Sequence, residues 1–476
     1  MPAGSHLHVE RLSATELGTM RMDLSTPSIF TSPEPGDSPL LTSLLYDESF
    51  WPMEPNTLRE AGLSEVYVEG LICKYLAVSG TTSGRRLAEE LCLPFSVLAE
   101  LYNSLRTRQI VVHAGNAPFN DYYFTLTEHG RSLAKKYLEE CAYVGPAPVP
   151  LADYVNSVEA QSITGEAPRH DRLAKAFEGI SVDPKLYTSL GPAVNSAAGM
   201  FLYGAPGNGK STLARRLTMC FGQTIWIPHA LSEAGQLVKL FDAAYHQIIE
   251  DEETALLRKH TYDRRWVRIR RPTVVVGGEL TMDNLEIHYN RQSNVSEAPL
   301  QMKSNCGCLL LDDFGRQRVA PAELLNRWIV PLECRHDFLT LASGKKIQVP
   351  FDQLIIFSTN LEPEDLVDEA FLRRIPYKIE VGDPSEEEFH YLFRLYCEQA
   401  GCEYRKDVVN YLIETHYHSI NRAMRRCHPR DLLFQIRNYC RYHDLMLEIR
   451  PEYFDVVVGS YFAMVLKRAE KDGTTL

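Results

Sequence analysis

The sequence lacks the features of an exported or membrane-spanning protein. No apolar run among its 476 residues is long enough to cross a bilayer, and the N-terminal stretch shows neither the charged nor the apolar region of a signal peptide. The 11 cysteines are scattered, without the spacing that zinc sites need. An odd cysteine count without an export signal fits reduced thiols. We therefore expect a cytoplasmic protein without membrane insertion.

Positive charge is also scarce: 50 lysines and arginines face 62 acidic residues, and the net charge is −12. This balance argues against nucleic-acid binding over the whole surface, although it leaves room for a local basic patch. With 45% hydrophobic residues, the chain can bury substantial cores. Its length exceeds that of a single core, so two or three domains are expected.

Composition divides the chain into segments. The first 48 residues are rich in serine, proline and threonine and are predicted to form a disordered tail. Residues 49–142 follow the pattern helix, helix, helix, hairpin, helix, and the proline-rich residues 143–157 predict an extended linker. In residues 158–384, strand-like runs alternate with helical stretches, which predicts an α/β domain with a largely parallel sheet. Residues 385–476 are predicted to be helical.

The pattern of residues 49–142 resembles a winged helix, and residues 123–130 resemble the wing-to-helix turn of that superfamily. Winged helices bind DNA through their third helix, or they bind proteins. The segment as a whole is nearly neutral, which favours protein docking over DNA reading but leaves both open. The third helix offers the polar residues Glu100, Asn103, Ser104, Arg106 and Arg108.

Residues 204–211 read GAPGNGKS, the G-x-x-x-x-G-K-[ST] pattern of a phosphate-binding loop. An apolar run precedes the loop and a helical stretch follows it, as phosphate binding requires. Backbone N–H groups of such a loop point at phosphate oxygens, and the helix N-terminus adds partial positive charge. We predict that Lys210 binds the β- and γ-phosphates of ATP and that the Ser211 hydroxyl binds Mg²⁺. The predicted nucleotide-binding residues are Gly204, Ala205, Pro206, Gly207, Asn208, Gly209, Lys210, Ser211 and Thr212.

Polar side chains follow two further apolar strands. The run at residues 308–311 ends in Asp312 and Asp313, which is typical of a Walker B strand. We predict that Asp312 holds Mg²⁺, directly or through water, and that Asp313 orients and polarises the attacking water. The run at residues 354–359 ends in Asn360, whose amide can hydrogen-bond the γ-phosphate or that water. Buried strands that merely end in polar residues are the alternative interpretation.

Together these motifs resemble an AAA+ ATPase over residues 158–460, with Asn360 at the sensor-1 position. The chain also resembles bacterial AAA+ proteins that are known only as predicted ATPases with chaperone-like activity. The resemblance implies a P-loop α/β core with a C-terminal helical lid. It further implies assembly into a ring, with a hexamer as the expected size.

The same resemblance assigns roles to arginines. Residues 370–374 resemble the arginine-finger segment, so either Arg373 or Arg374 would complete the site of a neighbouring subunit. Residues 428–431 resemble sensor 2, so Arg430 would act within its own subunit and link the nucleotide state to the lid angle. A structural salt bridge is the alternative role for each arginine.

Asp313 departs from the family pattern, because most AAA+ members carry glutamate after the Walker B aspartate. Aspartate is one methylene shorter, so its carboxylate lies farther from the water. Replication initiators and helicase loaders of the superfamily also carry a similar Leu-Leu-Asp-Asp run. The departure implies slow or partner-stimulated hydrolysis rather than an inactive site.

Two further segments have open interpretations. Residues 338–349 predict a β-hairpin between Walker B and sensor 1, and resemble the insertion of AAA+ proteins such as magnesium chelatases and the Lon-type proteases. Lys345 and Lys346 near its tip could touch substrate in a central pore or belong to a solvated turn. The basic residues at 258–271 could form a nucleic-acid groove, or they could instead pair with the acidic residues 250–253 or line a subunit interface.

The expected function is a Mg²⁺-dependent ATPase that remodels a protein partner recruited by the N-terminal domain. The first alternative is a DNA-associated ATPase, such as a loader or transcription regulator, anchored by the winged helix. The second is a nucleotide switch that binds ATP and hardly hydrolyses it.

Overall fold

The computed structural model describes residues 50–165, 168, 170–180, 183–222, 224–249, 262–366 and 369–472, with the backbone alone for residues 184, 370 and 463–472. The tail predicted for residues 1–48 lies outside them. The described residues belong to the unit Ser49–Leu476. None of their helices is long and apolar enough to cross a membrane.

The N-terminal part of the described chain contains helices and a small antiparallel sheet with the strand order β1-β3-β2. The side chains of Ser64, Ser83 and Thr127 cap α1, α2 and α4, each accepting a backbone N–H from the first turn. The order helix, helix, helix, hairpin, helix agrees with the sequence pattern. The elements are α1 (Glu65–Ser79), β1 (Thr82–Ser83), α2 (Gly84–Leu91), α3 (Phe95–Thr107), β2 (Val111–Ala117), β3 (Asp121–Leu126) and α4 (Glu128–Glu140).

The prediction of an extended linker at residues 143–157 is wrong for the second half of that segment. Strand β4 (Val149–Pro150) is followed at once by helix α5 (Leu151–Ala160). Tyr154 and Val158 of α5 are buried in a hydrophobic cluster. The prolines therefore mark the entry to a packed helix, since a proline just before or at the start of a helix needs no intrahelical partner for its nitrogen.

The central sheet has the strand order β10-β13-β16-β5-β17, and every neighbouring pair is parallel. Alternate residues of β13 and β16 belong to two different core clusters, so helices cover both faces of the sheet. The predicted α/β fold class with a parallel sheet is thus confirmed. The strands are β5 (Met200–Tyr203), β10 (Thr273–Val276), β13 (Gly307–Leu311), β16 (Gln353–Ser358) and β17 (Tyr377–Glu380).

Some of the helices around this sheet precede the loop of residues 204–211 in the sequence, and the others follow it. Buried side chains of α6, α7 and α8 lie in the cluster on one face, and those of α10 and α12 lie in the cluster on the other. The helices are α6 (His170–Ala176), α7 (Pro184–Asn195), α8 (Lys210–Leu217), α9 (Leu300–Lys303), α10 (Pro321–Cys334), α11 (Pro363–Leu366) and α12 (Glu369–Arg374).

A second, mixed sheet was not anticipated from the sequence. Its strand order is β11-β12-β8-β7-β4, and it lies beside the strand pair β6–β9 and the hairpin β14–β15. Apolar residues of all three, with α5, share one core cluster. The strands are β6 (Thr224–Pro228), β7 (Ala230–Glu233), β8 (Gln236–Lys239), β9 (Trp266–Arg270), β11 (His288–Asn290), β12 (Val295–Glu297), β14 (His336–Thr340) and β15 (Lys346–Pro350).

The C-terminal segment is helical, as predicted. A capping box starts α13: the Ser385 side chain accepts the backbone N–H of Glu388, and the Glu388 side chain accepts that of Ser385. Buried side chains of all the helices meet in one cluster, including Phe393 and Phe454. The helices are α13 (Glu386–Ala400), α14 (Lys406–His416), α15 (His428–Tyr442) and α16 (Pro451–Asp472).

Candidate functional site

The predicted phosphate-binding loop, residues 204–211, follows β5 and leads into α8, in the order that the sequence predicts. Gly204 and Gly207 have φ angles of +129° and +87°, in the region that favours glycine. A Cβ atom at Gly204 would lie 2.7 Å from the carbonyl oxygen of Val381, and one at Gly207 would lie 2.6 Å from Sγ of Cys427. These glycines therefore also allow close approach of the segment after β17 and of the helical C-terminal segment.

Lys210 lies inside the loop and is nearly buried, with 7% of its surface exposed. Its Nζ atom donates hydrogen bonds to the carbonyl oxygens of Gly204 at 2.8 Å and Ala205 at 3.0 Å, and to Oδ1 of Asn360 at 2.7 Å. Burial lowers the pKa of the Lys210 ammonium group, while the carboxylates after β13 act in the opposite direction. The Lys210 ammonium group is thus held against the loop backbone, beside the side-chain amide of Asn360, the predicted sensor-1 residue.

The polar residues at the ends of β13 and β16 meet the loop directly. Ser211 Oγ donates to Oδ1 of Asp312 at 2.8 Å, and Nδ2 of Asn360 donates to Oδ1 of Asp313 at 3.2 Å. The parallel strands end at the same edge of the sheet, which explains why these side chains converge. A hydroxyl beside a carboxylate is a donor set that fits Mg²⁺.

The other predicted loop residues differ in exposure. Pro206, Gly209 and Thr212 are exposed, whereas Asn208 is 2% exposed. An asparagine with that little exposure needs hydrogen-bond partners, because a buried amide left unpaired is destabilising. Its partners lie outside the loop.

The helical C-terminal segment contacts the loop through the residues just before α15. The backbone N–H of Arg426 donates to Oδ1 of Asn208 at 3.4 Å, and the N–H of Cys427 donates to the carbonyl oxygen of Gly207 at 2.9 Å. The C-terminal segment and the loop are therefore joined by direct hydrogen bonds. Sequence reasoning did not find these residues, because their backbone groups carry no sequence signal.

A carboxylate that the sequence analysis also missed lies between these elements. Nδ2 of Asn208 donates to Oδ1 of Asp383 at 2.7 Å, and Nη1 of Arg425 pairs with the same oxygen. Asp383 follows β17, at the sheet edge where the other site residues lie. The charge of Arg425 is also among the causes that lower the pKa of Lys210, so this guanidinium group acts electrostatically on the loop.

The predicted sensor-2 arginine, Arg430, lies farther along the chain in the first turn of α15. Its side chain is 63% exposed and pairs with Asp431 at 2.9 Å. Asp431 in turn accepts a hydrogen bond from the Tyr461 hydroxyl at 2.9 Å. In the described part of the chain, the contacts with the loop are made by the residues before α15, and those of Arg430 are made within the C-terminal segment.

His428 holds that segment in place. It is 7% exposed, and its Nδ1 atom accepts the backbone N–H of Arg425 at 3.2 Å and lies 2.9 Å from the Tyr417 hydroxyl. Burial lowers the pKa of His428 to about 4, and the charge of Arg425 acts in the same direction. The neutral imidazole is therefore the form that fits this position.

The two candidate arginine fingers have different surroundings. Arg373 has a side chain that is 79% exposed and pairs with Glu369 one turn away at 3.5 Å. Arg374 is 27% exposed, and its Nε atom binds Oε1 of Glu333 in α10 at 2.6 Å. Arg373 therefore projects into solvent, whereas Arg374 is held in a contact within its own subunit.

The hairpin predicted between Walker B and sensor 1 is present as β14–β15, with Gly344 in its turn. Leu339 and Val349 face a core cluster, so one side of the hairpin is buried. Nζ of Lys345 pairs with Oε1 of Glu233 at the tip of the β7–β8 hairpin, at 2.6 Å. Lys346 is exposed.

The basic segment has mainly structural contacts. Residues 258–260 lie outside the described residues. Arg265 is 3% exposed, pairs with Asp263 at 2.7 Å, and donates to the carbonyl oxygens of Ala61 at 2.7 Å and Pro148 at 3.1 Å. It therefore ties the N-terminal part to the second sheet. Arg271 is 7% exposed and donates to backbone carbonyl oxygens.

Comparisons with known proteins add little to this geometry. A family model described as a domain of unknown function (DUF8689) matches residues 385–460, within the helical segment. No curated protein matches the chain.

Two solved structures show a distant likeness to the chain. NtrX from Brucella abortus in complex with ADP is 15% identical, with a TM-score of 0.38 over 61% of this chain and 57% of its own length. A variant of RuvB from Thermotoga maritima is 11% identical, with a TM-score of 0.34 over 59% of this chain and 70% of its own. At these values neither likeness bears on function.

Proposed function

We propose that this protein is a Mg²⁺-dependent ATPase of the AAA+ type that remodels a protein partner. One observation carries the proposal: Lys210, Ser211, Asp312, Asp313 and Asn360 are linked by direct hydrogen bonds at one edge of the parallel sheet. These are the groups that phosphoryl transfer to water needs, namely a cation for the phosphates, oxygen ligands for Mg²⁺ and a carboxylate for the nucleophile.

Each group has a definite task in hydrolysis. The loop N–H groups and Lys210 bind the phosphates, and Ser211 with Asp312 would hold Mg²⁺, which supplies charge neutralisation when bound. Asp313 accepts the proton of the attacking water, and Asn360 orients that water or the γ-phosphate. The hydrogen bond from Asn360 supports the assignment of Asp313, because it directs this short carboxylate toward Lys210 and the loop.

We assign the cis-acting arginine to Arg425 in place of Arg430. Arg425 lies next to a residue whose backbone binds Asn208, and it acts electrostatically on Lys210. Arg430 is occupied by Asp431 on the exposed side of α15. An arginine in the helical segment that reaches the phosphates couples nucleotide binding to the lid, because the two then share one contact.

A protein partner is favoured over DNA by the pairing of the basic side chains. Arg108 at the end of the third helix pairs with the buried Glu69, and Arg86 pairs with Glu90. Arg265 and Arg271 are buried in backbone contacts. These four cations are paired within the chain, which makes them less available for the phosphate contacts that give DNA affinity.

The test of the proposed function is phosphate release from ATP by the purified protein, with and without Mg²⁺ and with single- or double-stranded DNA at low and high salt. We expect Mg²⁺-dependent turnover that DNA does not stimulate. Stimulation by DNA that falls steeply with salt would support the DNA-associated alternative. ATP binding without measurable turnover would support the switch.

Assembly is tested with the exposed arginine of α12. We expect Arg373→Ala to lower turnover at least about tenfold with little change in ATP affinity, because a finger acts on the transition state of a neighbouring subunit. Arg374→Ala should lower turnover less, since Arg374 is bound to Glu333. In mixtures of Arg373→Ala and unaltered subunits, activity should depart from proportionality. Strictly additive activity would argue against a finger acting between subunits.

A further inference from the structure

We propose that Asp383 is a positioning residue for the nucleotide site, which holds the Arg425 guanidinium group beside the phosphate-binding loop with Asn208 as its anchor. The inference rests on the proposed function, because it concerns how that site presents an arginine to phosphates. Asp383 is not part of the loop, Walker B or sensor motifs. It contacts Asn208 and Arg425, and it would act on the bound nucleotide only through them.

The anchor is the first step of the argument. A single oxygen, Oδ1 of Asp383, accepts the Nδ2 hydrogen bond of Asn208 at 2.7 Å and pairs with Nη1 of Arg425. Asn208 is 2% exposed, and its Nδ2 atom also lies 3.4 Å from the carbonyl oxygen of Val381. The amide is thus fixed by its surroundings. Because the carboxylate is bound to it, the position of the carboxylate follows from that of the loop.

The two neighbouring arginines differ in how they are held. Nη2 of Arg426 binds both carboxylate oxygens of Glu388, at 3.1 and 3.3 Å, and Nη1 binds the carbonyl oxygen of Gly382. Among the described residues, the guanidinium group of Arg425 has one side-chain partner, Asp383. The Arg426 side chain is therefore held by hydrogen bonds to two different groups, whereas the orientation of the Arg425 side chain depends on the carboxylate of Asp383 alone.

The negative charge of Asp383 needs an explanation, because this residue lies beside a loop that is proposed to bind negatively charged phosphates. By Coulomb repulsion alone, a carboxylate beside a loop that binds polyphosphate weakens binding. Pairing with Arg425 compensates that charge, and it also fixes a long side chain that would otherwise lose rotamer freedom on binding phosphate. The arrangement is useful to the site only if an ordered Arg425 contributes more than the carboxylate repels.

This balance gives a test with opposite outcomes. Asp383→Asn keeps an oxygen that can accept the Asn208 hydrogen bond but removes the charge that holds Arg425. We expect its affinity for ATP, measured by titration of a fluorescent ATP analogue with Mg²⁺, to fall about tenfold, because a charge-assisted contact with phosphate loses its preorganisation. Repulsion alone predicts tighter binding, so an unchanged or higher affinity would overturn the proposal.

A double-mutant cycle shows whether Asp383 acts through Arg425. Once Arg425→Ala has weakened binding, the addition of Asp383→Asn should cause almost no further loss. Additive losses would mean that Asp383 acts independently, and the positioning role would be wrong. Asp383→Glu keeps the charge and should recover part of the affinity. The matched control is Glu388→Gln, which loosens Arg426 instead and should change ATP affinity by no more than about twofold.

The binding cycle separates this inference from the proposed function. Thermal unfolding of each variant first establishes that it is folded. If the unaltered protein binds ATP without hydrolysing it, the ATPase proposal fails and the cycle still decides on Asp383. If it hydrolyses ATP while Asp383→Asn binds ATP as tightly as the unaltered protein, the ATPase proposal stands and the role of Asp383 is wrong. Absence of ATP binding by the unaltered protein overturns both.

Discussion

Lys210→Ala is expected to lower the affinity for ATP at least about a hundredfold, which corresponds to about 3 kcal/mol. The ammonium group lies in the mouth of the loop, with three oxygen acceptors around it. Alanine leaves the bound phosphates without this buried cation, and loss of a charge-assisted contact in such a setting is large. Titration of a fluorescent ATP analogue measures the effect.

The loss should not arise from unfolding. Burial lowers the pKa of Lys210, so the nucleotide-free fold bears the desolvation of this ammonium group. Without nucleotide, the thermal midpoint of Lys210→Ala should therefore lie close to that of the unaltered protein, because relief of this desolvation opposes the loss of three hydrogen bonds. The exposed Lys185, on α7, offers a control: Lys185→Ala should bind ATP normally. Normal ATP binding by Lys210→Ala would remove the basis of the nucleotide site.

The convergence of the central site residues could be predicted because it follows from local patterns. Asp312 and Asn360 follow runs of buried apolar residues, and Lys210 follows a third such run after the loop of residues 204–209. Such runs become parallel strands when helices cover both faces. Parallel strands end at one edge, so residues about 50 to 150 positions apart meet there. The fold class and these contacts needed no knowledge of the loops between strands.

The contacts of the helical segment could not be predicted in the same way. Arg425 and Asp383 belong to no periodic pattern, and their pairing depends on how α15 is oriented over the loop. The sequence favoured Arg430 because it belongs to a recognisable motif. Its position in the first turn of α15 turns it toward Asp431 instead. Arg425 lies before α15 and Arg430 lies in its first turn, so the motif alone does not identify the arginine that lies beside the loop.

The second sheet and the buried arginines were hidden for a related reason. Its strands are three or four residues long, apart from the two residues of β4, and too short for alternation to be distinct from chance. Arg265 sits in a basic run that suggested a nucleic-acid groove. Its partners are a neighbouring aspartate and two distant carbonyl oxygens, which composition does not disclose. Charge density in a sequence therefore says little until the partners of each charge are known.

Asp313→Asn is expected to lower turnover at least about a hundredfold, since an amide cannot accept the proton of the attacking water. ATP affinity should change little, because the replacement has nearly the same shape and Lys210 retains its contact with Asn360. Single-turnover phosphate release and analogue titration measure the two quantities separately. Asp407→Asn, which removes a carboxylate from an exposed pair in the helical segment, is the control and should keep normal turnover. Unchanged turnover of Asp313→Asn would show that another group activates the water.

Asp313→Glu then decides what the short carboxylate means. Glutamate reaches one methylene farther toward the water, so a site otherwise equipped for hydrolysis should turn over at least as fast with this residue. Slower turnover would mean that the hydrogen bond from Asn360, made to the shorter side chain at 3.2 Å, matters more than reach. The site then requires aspartate at this position. Slow hydrolysis in the unaltered protein would be limited instead by the contribution of Arg373 from a neighbouring subunit or by the partner protein. Faster turnover would instead show that the short side chain of Asp313 limits the rate of ATP hydrolysis in the unaltered protein.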